Sequence, residues 1–174
     1  MKNSGKKKIT QWSCTALGLV LCSTAMAADL EVEFTDPKWT GKLVPEDQVC
    51  QRFEGKGSTP PMHVSGIPAG AEMIVVEFND ESYDPMDRGG HGIVGFAVSA
   101  GAAEADLPAV PGESDDLPAG VTTVKAHRGS GWSGTGGAYL PPCSGWNGNK
   151  YTAKLKAMGG GKVLAEGKIK LGKF

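Results

Sequence analysis

The chain has 174 residues with 18 Lys and Arg against 19 Asp and Glu, a formal charge of −1 that argues against non-specific binding to nucleic acid. Twenty-six glycines and 11 prolines, with no long amphipathic helical period, exclude a helical bundle and point to many short strands joined by turns.

The N-terminus carries Lys2, Lys6, Lys7 and Lys8, then a short apolar run, then Ala25-Met26-Ala27. This three-part pattern predicts a secretory signal peptide over residues 1–27, with cleavage after Ala27 and one domain over residues 28–174. The apolar run falls short of the ~20 residues that span a bilayer, so no integral membrane segment is expected after cleavage. The four leader lysines leave with it, and the formal charge of the remaining 147 residues becomes −5. A periplasmic or secreted location follows from the leader. Cys14 and Cys22 depart as well, leaving Cys50 and Cys143 in an oxidising compartment where thiols pair. A Cys50–Cys143 disulfide is the expectation, with two separate buried thiols as the alternative.

In chain order, β-like runs occupy residues 30–34, 47–53, 73–78, 92–99, 121–126, 151–158 and 163–171. Thr59-Pro60-Pro61-Met62 and Ser65-Gly66-Ile67-Pro68-Ala69-Gly70 are turn chemistry, because proline fixes φ and glycine supplies positive φ. The apolar run Met73-Ile74-Val75-Val76-Glu77-Phe78 then reads as a buried strand, followed by a polar loop from Asn79 to Pro85. Asp80 closes that strand and His91 opens the next, which puts a carboxylate and an imidazole at one end of a sheet. Residues 101–120, rich in Ala, Pro and acids, read as a long surface loop. Gly129-Ser130-Gly131-Trp132-Ser133-Gly134 matches the GxGxxG dinucleotide pattern, but no helix follows to hold a pyrophosphate, so the match is accidental. The basic residues between Lys150 and Lys173 alternate with apolar ones, the pattern of the solvated face of a strand.

The ordered set Thr59-Pro60-Pro61, Gly66-Ile67-Pro68-Ala69-Gly70, Asp80-Glu81-Ser82 and His91 resembles the phosphatidylethanolamine-binding protein family, also called the Raf kinase inhibitor protein family, in its bacterial form. Ala138-Tyr139-Leu140-Pro141-Pro142 resembles a later Pro-Pro loop of the family, and the segment from Leu164 to Lys170 is similar to its last strand. The resemblance implies a mainly β fold, an antiparallel two-sheet β-sandwich with few short helices. It also implies a small anion-binding pocket lined by Asp80, Ser82, His91, Tyr139, Pro141, Asn149 and Tyr151. Several family positions differ: Ser82 stands for a second aspartate, Glu81 for a proline, and Asn149 for a histidine before Tyr151. Gly159-Gly160-Gly161 stands where bacterial relatives carry a helical segment.

A carboxylate beside an imidazole favours the protonated ring, which can donate to a phosphate or carboxylate. The expected function is therefore an exported, non-enzymatic protein that binds a small anionic or phosphate-bearing ligand, or inhibits or regulates a protein partner. A structural or adhesion-type β module with a degenerate pocket is the alternative. No Gly-x-Ser-x-Gly elbow or HExxH occurs, which argues against catalytic residues, and no cofactor is expected. Met62-His63, His127 and the methionines lack the short ligand spacing of a copper site, so no metal is expected.

Overall fold

The computed structural model describes Met1 and residues 28–129 and 136–174; the leader and most of the accidental GxGxxG match lie outside the described residues. Nine strands are described: β1 (Ala28–Asp29), β2 (Glu31–Phe34), β3 (Met62–Ser65), β4 (Met73–Asp80), β5 (Ile93–Ala97), β6 (Glu104–Leu107), β7 (Val121–Lys125), β8 (Lys150–Gly159) and β9 (Lys162–Lys173). They form a six-stranded sheet in the order β1-β9-β8-β4-β5-β7 and a three-stranded sheet in the order β2-β3-β6. Between these strands all pairings are antiparallel except β1 with β9, a short parallel pair. The fold is thus the two-sheet sandwich expected, and the described helical structure consists of three 3-10 turns of three residues each.

Alternation explains how the sheets face each other. In β4, Ile74, Val76 and Phe78 are buried while Met73, Val75 and Glu77 are only partly so. Ala153, Leu155 and Ala157 of β8 continue this inner face, and Met62, Val64 and Leu107 of the small sheet oppose it within one core. The outer faces carry the charges. Lys156 bonds Glu77 at 2.6 Å and Lys168 bonds Glu81 at 2.6 Å across the large sheet, which makes the late lysines a solvated strand face. On the small sheet His63 pairs with Asp106 at 2.8 Å, and this carboxylate raises its pKa.

Strand boundaries differ from the sequence expectation at four places. Residues 30–34 are not one strand, because the chain changes sheets at buried Leu30, whose N–H donates to Glu166 at 2.8 Å. Residues 47–53 form two 3-10 turns, Glu46–Gln48 and Gln51–Phe53, instead of a strand. Pro45 before the first turn and left-handed Glu54 (φ 63°) after the second fold this segment back on itself. A Cβ on Gly55 would lie 2.1 Å from the Val49 carbonyl oxygen, so the return is close. The strand β3 and, inside the expected loop 101–120, the strand β6 were not legible, since four residues carry too short an alternation. At the glycine run 159–161, β8 and β9 meet in a two-residue turn of Gly160 and Gly161, with φ of 54° and 73°. Both values are positive, as a type I′ hairpin turn requires.

Candidate functional site

The register of the large sheet builds one end of the molecule into a site. Asp80, the last residue of β4, pairs with Tyr151 of β8. Beyond the polar loop the chain returns, and the His91 N–H donates to the Phe78 carbonyl at 3.1 Å, which sets His91 beside the end of β4. The segment from Ala138 to Pro142 then lies along His91: the Leu140 N–H donates to the His91 carbonyl at 2.9 Å.

Between them is a cavity of about 450 Å³, within the size range of small-molecule sites. Asp80, Ser82, His91, Asn149 and Tyr151 contribute its polar wall, and Met86, Leu140 and Cys143 an apolar one; Tyr83, Ser144 and Asn147 also line it. Asp80 is 3 % exposed and accepts two hydrogen bonds, from the Ser82 N–H at 2.9 Å and from the Asn149 amide at 2.6 Å. The first is an Asx-turn that starts the loop after β4. Ser82 in turn accepts from the Lys150 N–H at 3.0 Å, and the Tyr151 hydroxyl accepts from the Cys143 N–H at 3.3 Å. The Tyr151 ring meets His91 edge to face at 5.2 Å.

Two residues expected in the pocket are elsewhere. Tyr139 is 1 % exposed and packs against Phe78 at 4.8 Å in the core, where its hydroxyl has no hydrogen-bond partner among the described residues and burial raises its pKa. Pro141 covers Gly112 and Gly57, at which an added Cβ would lie 2.2 and 2.7 Å from the proline ring. In an extended segment alternate side chains face opposite ways, so Leu140 reaches the cavity and its two neighbours do not. That alternation was the available signal for Leu140. Cys143 sits on the wall because its disulfide to Cys50, with Cα atoms 5.4 Å apart, pins this loop. Trp146 lies outside the cavity wall, 70 % exposed and against Phe174 at 4.7 Å.

The electrostatics also depart from expectation. Burial pushes His91 down to about 4, outweighing the upward pull of the Leu140 carbonyl and of Asp80. The neighbouring carboxylate therefore does not keep the ring cationic at neutral pH. The Nδ1 atom lies 2.8 Å from the Leu140 carbonyl oxygen, which can only accept, and this assigns the proton to Nδ1. Nε2 of the neutral ring is then an acceptor. Burial likewise drives the Tyr151 phenol up to about 12, so it keeps its proton.

A stability prediction follows from the His91 shift. The folded state holds this ring neutral, whereas the unfolded chain takes up a proton near the ordinary value of 6.5. Stability from this group is complete above pH 6.5, falls as the pH drops, and stops falling below about 4. The loss is expected to reach roughly 3 kcal/mol. Urea unfolding at pH 7, 5.5 and 4.5 checks it: His91→Gln should flatten the wild-type slope, and an equal slope in both proteins would contradict the assignment.

No protein-family model and no curated protein sequence matches the chain. Solved structures do. One is a phosphatidylethanolamine-binding protein homologue, CT736, from Chlamydia trachomatis, with 19 % identity, TM-score 0.51, and 84 % of this chain and 97 % of the other covered. Another is YbcL of Escherichia coli, a member of the mammalian phosphatidylethanolamine-binding protein family, with 18 % identity, TM-score 0.54, and coverage of 84 % and 98 %.

Proposed function

From the fold of the phosphatidylethanolamine-binding protein family, which this chain has, we propose an exported, non-enzymatic protein that binds a small polar ligand in the cavity between Asp80 and His91. The observation that carries this reading is the convergence of Asp80, Ser82, His91, Asn149 and Tyr151 on one cavity of about 450 Å³. Export is supported by the Cys50–Cys143 bond, since such bonds persist in oxidising compartments. No helix among the described residues is long and apolar enough to cross a membrane. The absence of turnover is supported by the chemistry of the wall at one point: Cys143 is held in a disulfide and offers no thiol nucleophile.

The charge of the ligand depends on pH. His91 can donate a hydrogen bond to a phosphate or carboxylate only when Nε2 is protonated, and the bond is then strengthened by charge on both sides. Anion binding is thus expected near the low pKa of His91 and should fade as the pH rises above it. Inorganic phosphate, followed by NMR shifts of Asp80, His91 and Tyr151 at pH 4.5 and 7.5, tests the pH dependence. Nitrophenyl acetate and nitrophenyl phosphate at pH 7 test the absence of catalysis. Turnover abolished by His91→Ala would overturn the non-enzymatic reading.

A further inference from the structure

We propose that at neutral pH the cavity anchors a small primary amine, an ammonium head on a short apolar body, between the Asp80 carboxylate and the Nε2 acceptor of His91. This rests on the reading of the cavity as a binding site and names the chemistry of its ligand.

The inventory of charge comes first. Among the described cavity residues Asp80 is the acidic group, and none is Lys or Arg. Arg128 is close enough to influence His91, but its guanidinium donates to the carbonyls of Asp87 and Arg88 and does not line the cavity. His127 likewise turns to the Gly136 carbonyl, at 3.2 Å. The field inside the cavity is therefore set by a carboxylate, without a facing cation.

The inventory of donors and acceptors points the same way. Most side-chain donors of the wall are turned to protein acceptors: Asn149 to Asp80 at 2.6 Å, Asn147 to the Ser144 carbonyl at 2.5 Å, Ser144 to the Phe174 carbonyl at 2.6 Å, and the Tyr151 hydroxyl toward Asp80, while Ser82, which accepts from the Lys150 N–H, keeps its hydroxyl proton. Acceptor capacity remains. A carboxylate offers about four lone-pair positions, and Asp80 uses part of them on Ser82 and Asn149, with the Tyr151 hydroxyl also turned toward it. His91 spends its proton on Leu140, so Nε2 presents a lone pair. An anion would face two electron-rich groups there, whereas an ammonium satisfies both and neutralises a carboxylate that is only 3 % exposed. Met86 and Leu140 supply the apolar surface for the ligand's body.

Propylammonium and propionate have similar size and opposite charge, and inorganic phosphate adds a second anion. Each is titrated at millimolar concentration and pH 7 into the isotope-labelled protein. Shifts of Asp80, His91 and Tyr151 with propylammonium alone are the expected result. Equal or larger shifts with propionate or phosphate would overturn the amine assignment while leaving the cavity a binding site. No shift with any probe would overturn both. Asp80→Asn keeps the shape of the side chain and should weaken propylammonium by about ten-fold or more; unchanged affinity would overturn the proposal. His91→Phe keeps a ring against Tyr151 but removes the acceptor, and it should also weaken the amine. The charge comparison on the wild-type protein decides the matter even where a variant fails to fold.

Discussion

Cys50→Ala combined with Cys143→Ala is expected to lower folding stability by roughly 3 to 5 kcal/mol. The two cysteines are 93 residues apart in sequence, and their bond excludes from the unfolded ensemble every conformation in which that loop is open. The chain-entropy model gives about 4 to 5 kcal/mol for a loop of this length, reduced by any strain in the native bond. Native packing is not the main term, although Cys50 is fully buried beside Met86 and Leu140. The bond also ties the 3-10 turns at residues 46–53 to the cavity wall, where the Cys50 N–H donates to the Pro142 carbonyl at 3.1 Å. Urea unfolding of the oxidised wild type and the double variant provides the measurement. With an m-value of about 2 kcal/mol/M, the midpoint should fall by about 2 M. An unchanged midpoint would show that the cross-link contributes nothing to stability.

Gly92→Ala is expected to cost roughly 3 kcal/mol or more and to disrupt the cavity. At Gly92 φ is 116°, a conformation that side chains rarely adopt, and an added Cβ would lie 2.0 Å from the Ala138 carbonyl oxygen. Backbone atoms cannot rotate away as a side chain can, so the segment from Ala138 to Leu140 must move. That motion would pull the Leu140 carbonyl from His91 Nδ1. Gly101→Ala is the matched control, because φ there is 75° but no atom of the described residues lies within 4 Å of the new Cβ. It should cost only about 1 to 2 kcal/mol, the conformational penalty by itself. Thermal unfolding separates the two variants, and the His91 ring NMR signals report whether the cavity wall has shifted. Equal costs at the two sites would refute the close-approach argument.

Local pattern determined much of the large sheet. The apolar run at β4 and the strand after His91 were legible because packing against a core imposes hydrophobic runs bounded by turn residues. The meeting of Asp80 with His91 was legible for a related reason: antiparallel neighbours joined by a loop bring the end of one strand beside the start of the next. Ser82, Asn149 and Tyr151 were also assigned to the cavity from family positions, and the fold places them on its wall.

Tertiary structure decided the rest. The four-residue strands β3 and β6 exist because each finds a partner far along the chain, with Met62 opposite Leu107, and no window of sequence contains both. Leu140 faces the cavity and Tyr139 the core because the orientation of an extended segment depends on where it docks; here the bonds to His91 set it. The proton on His91 is the clearest case. Its spacing from Asp80 suggested a cation, but the charge of a buried ring depends on desolvation by every neighbour packed around it. Sequence names the carboxylate beside the ring, whereas only the folded chain shows how little water reaches either of them.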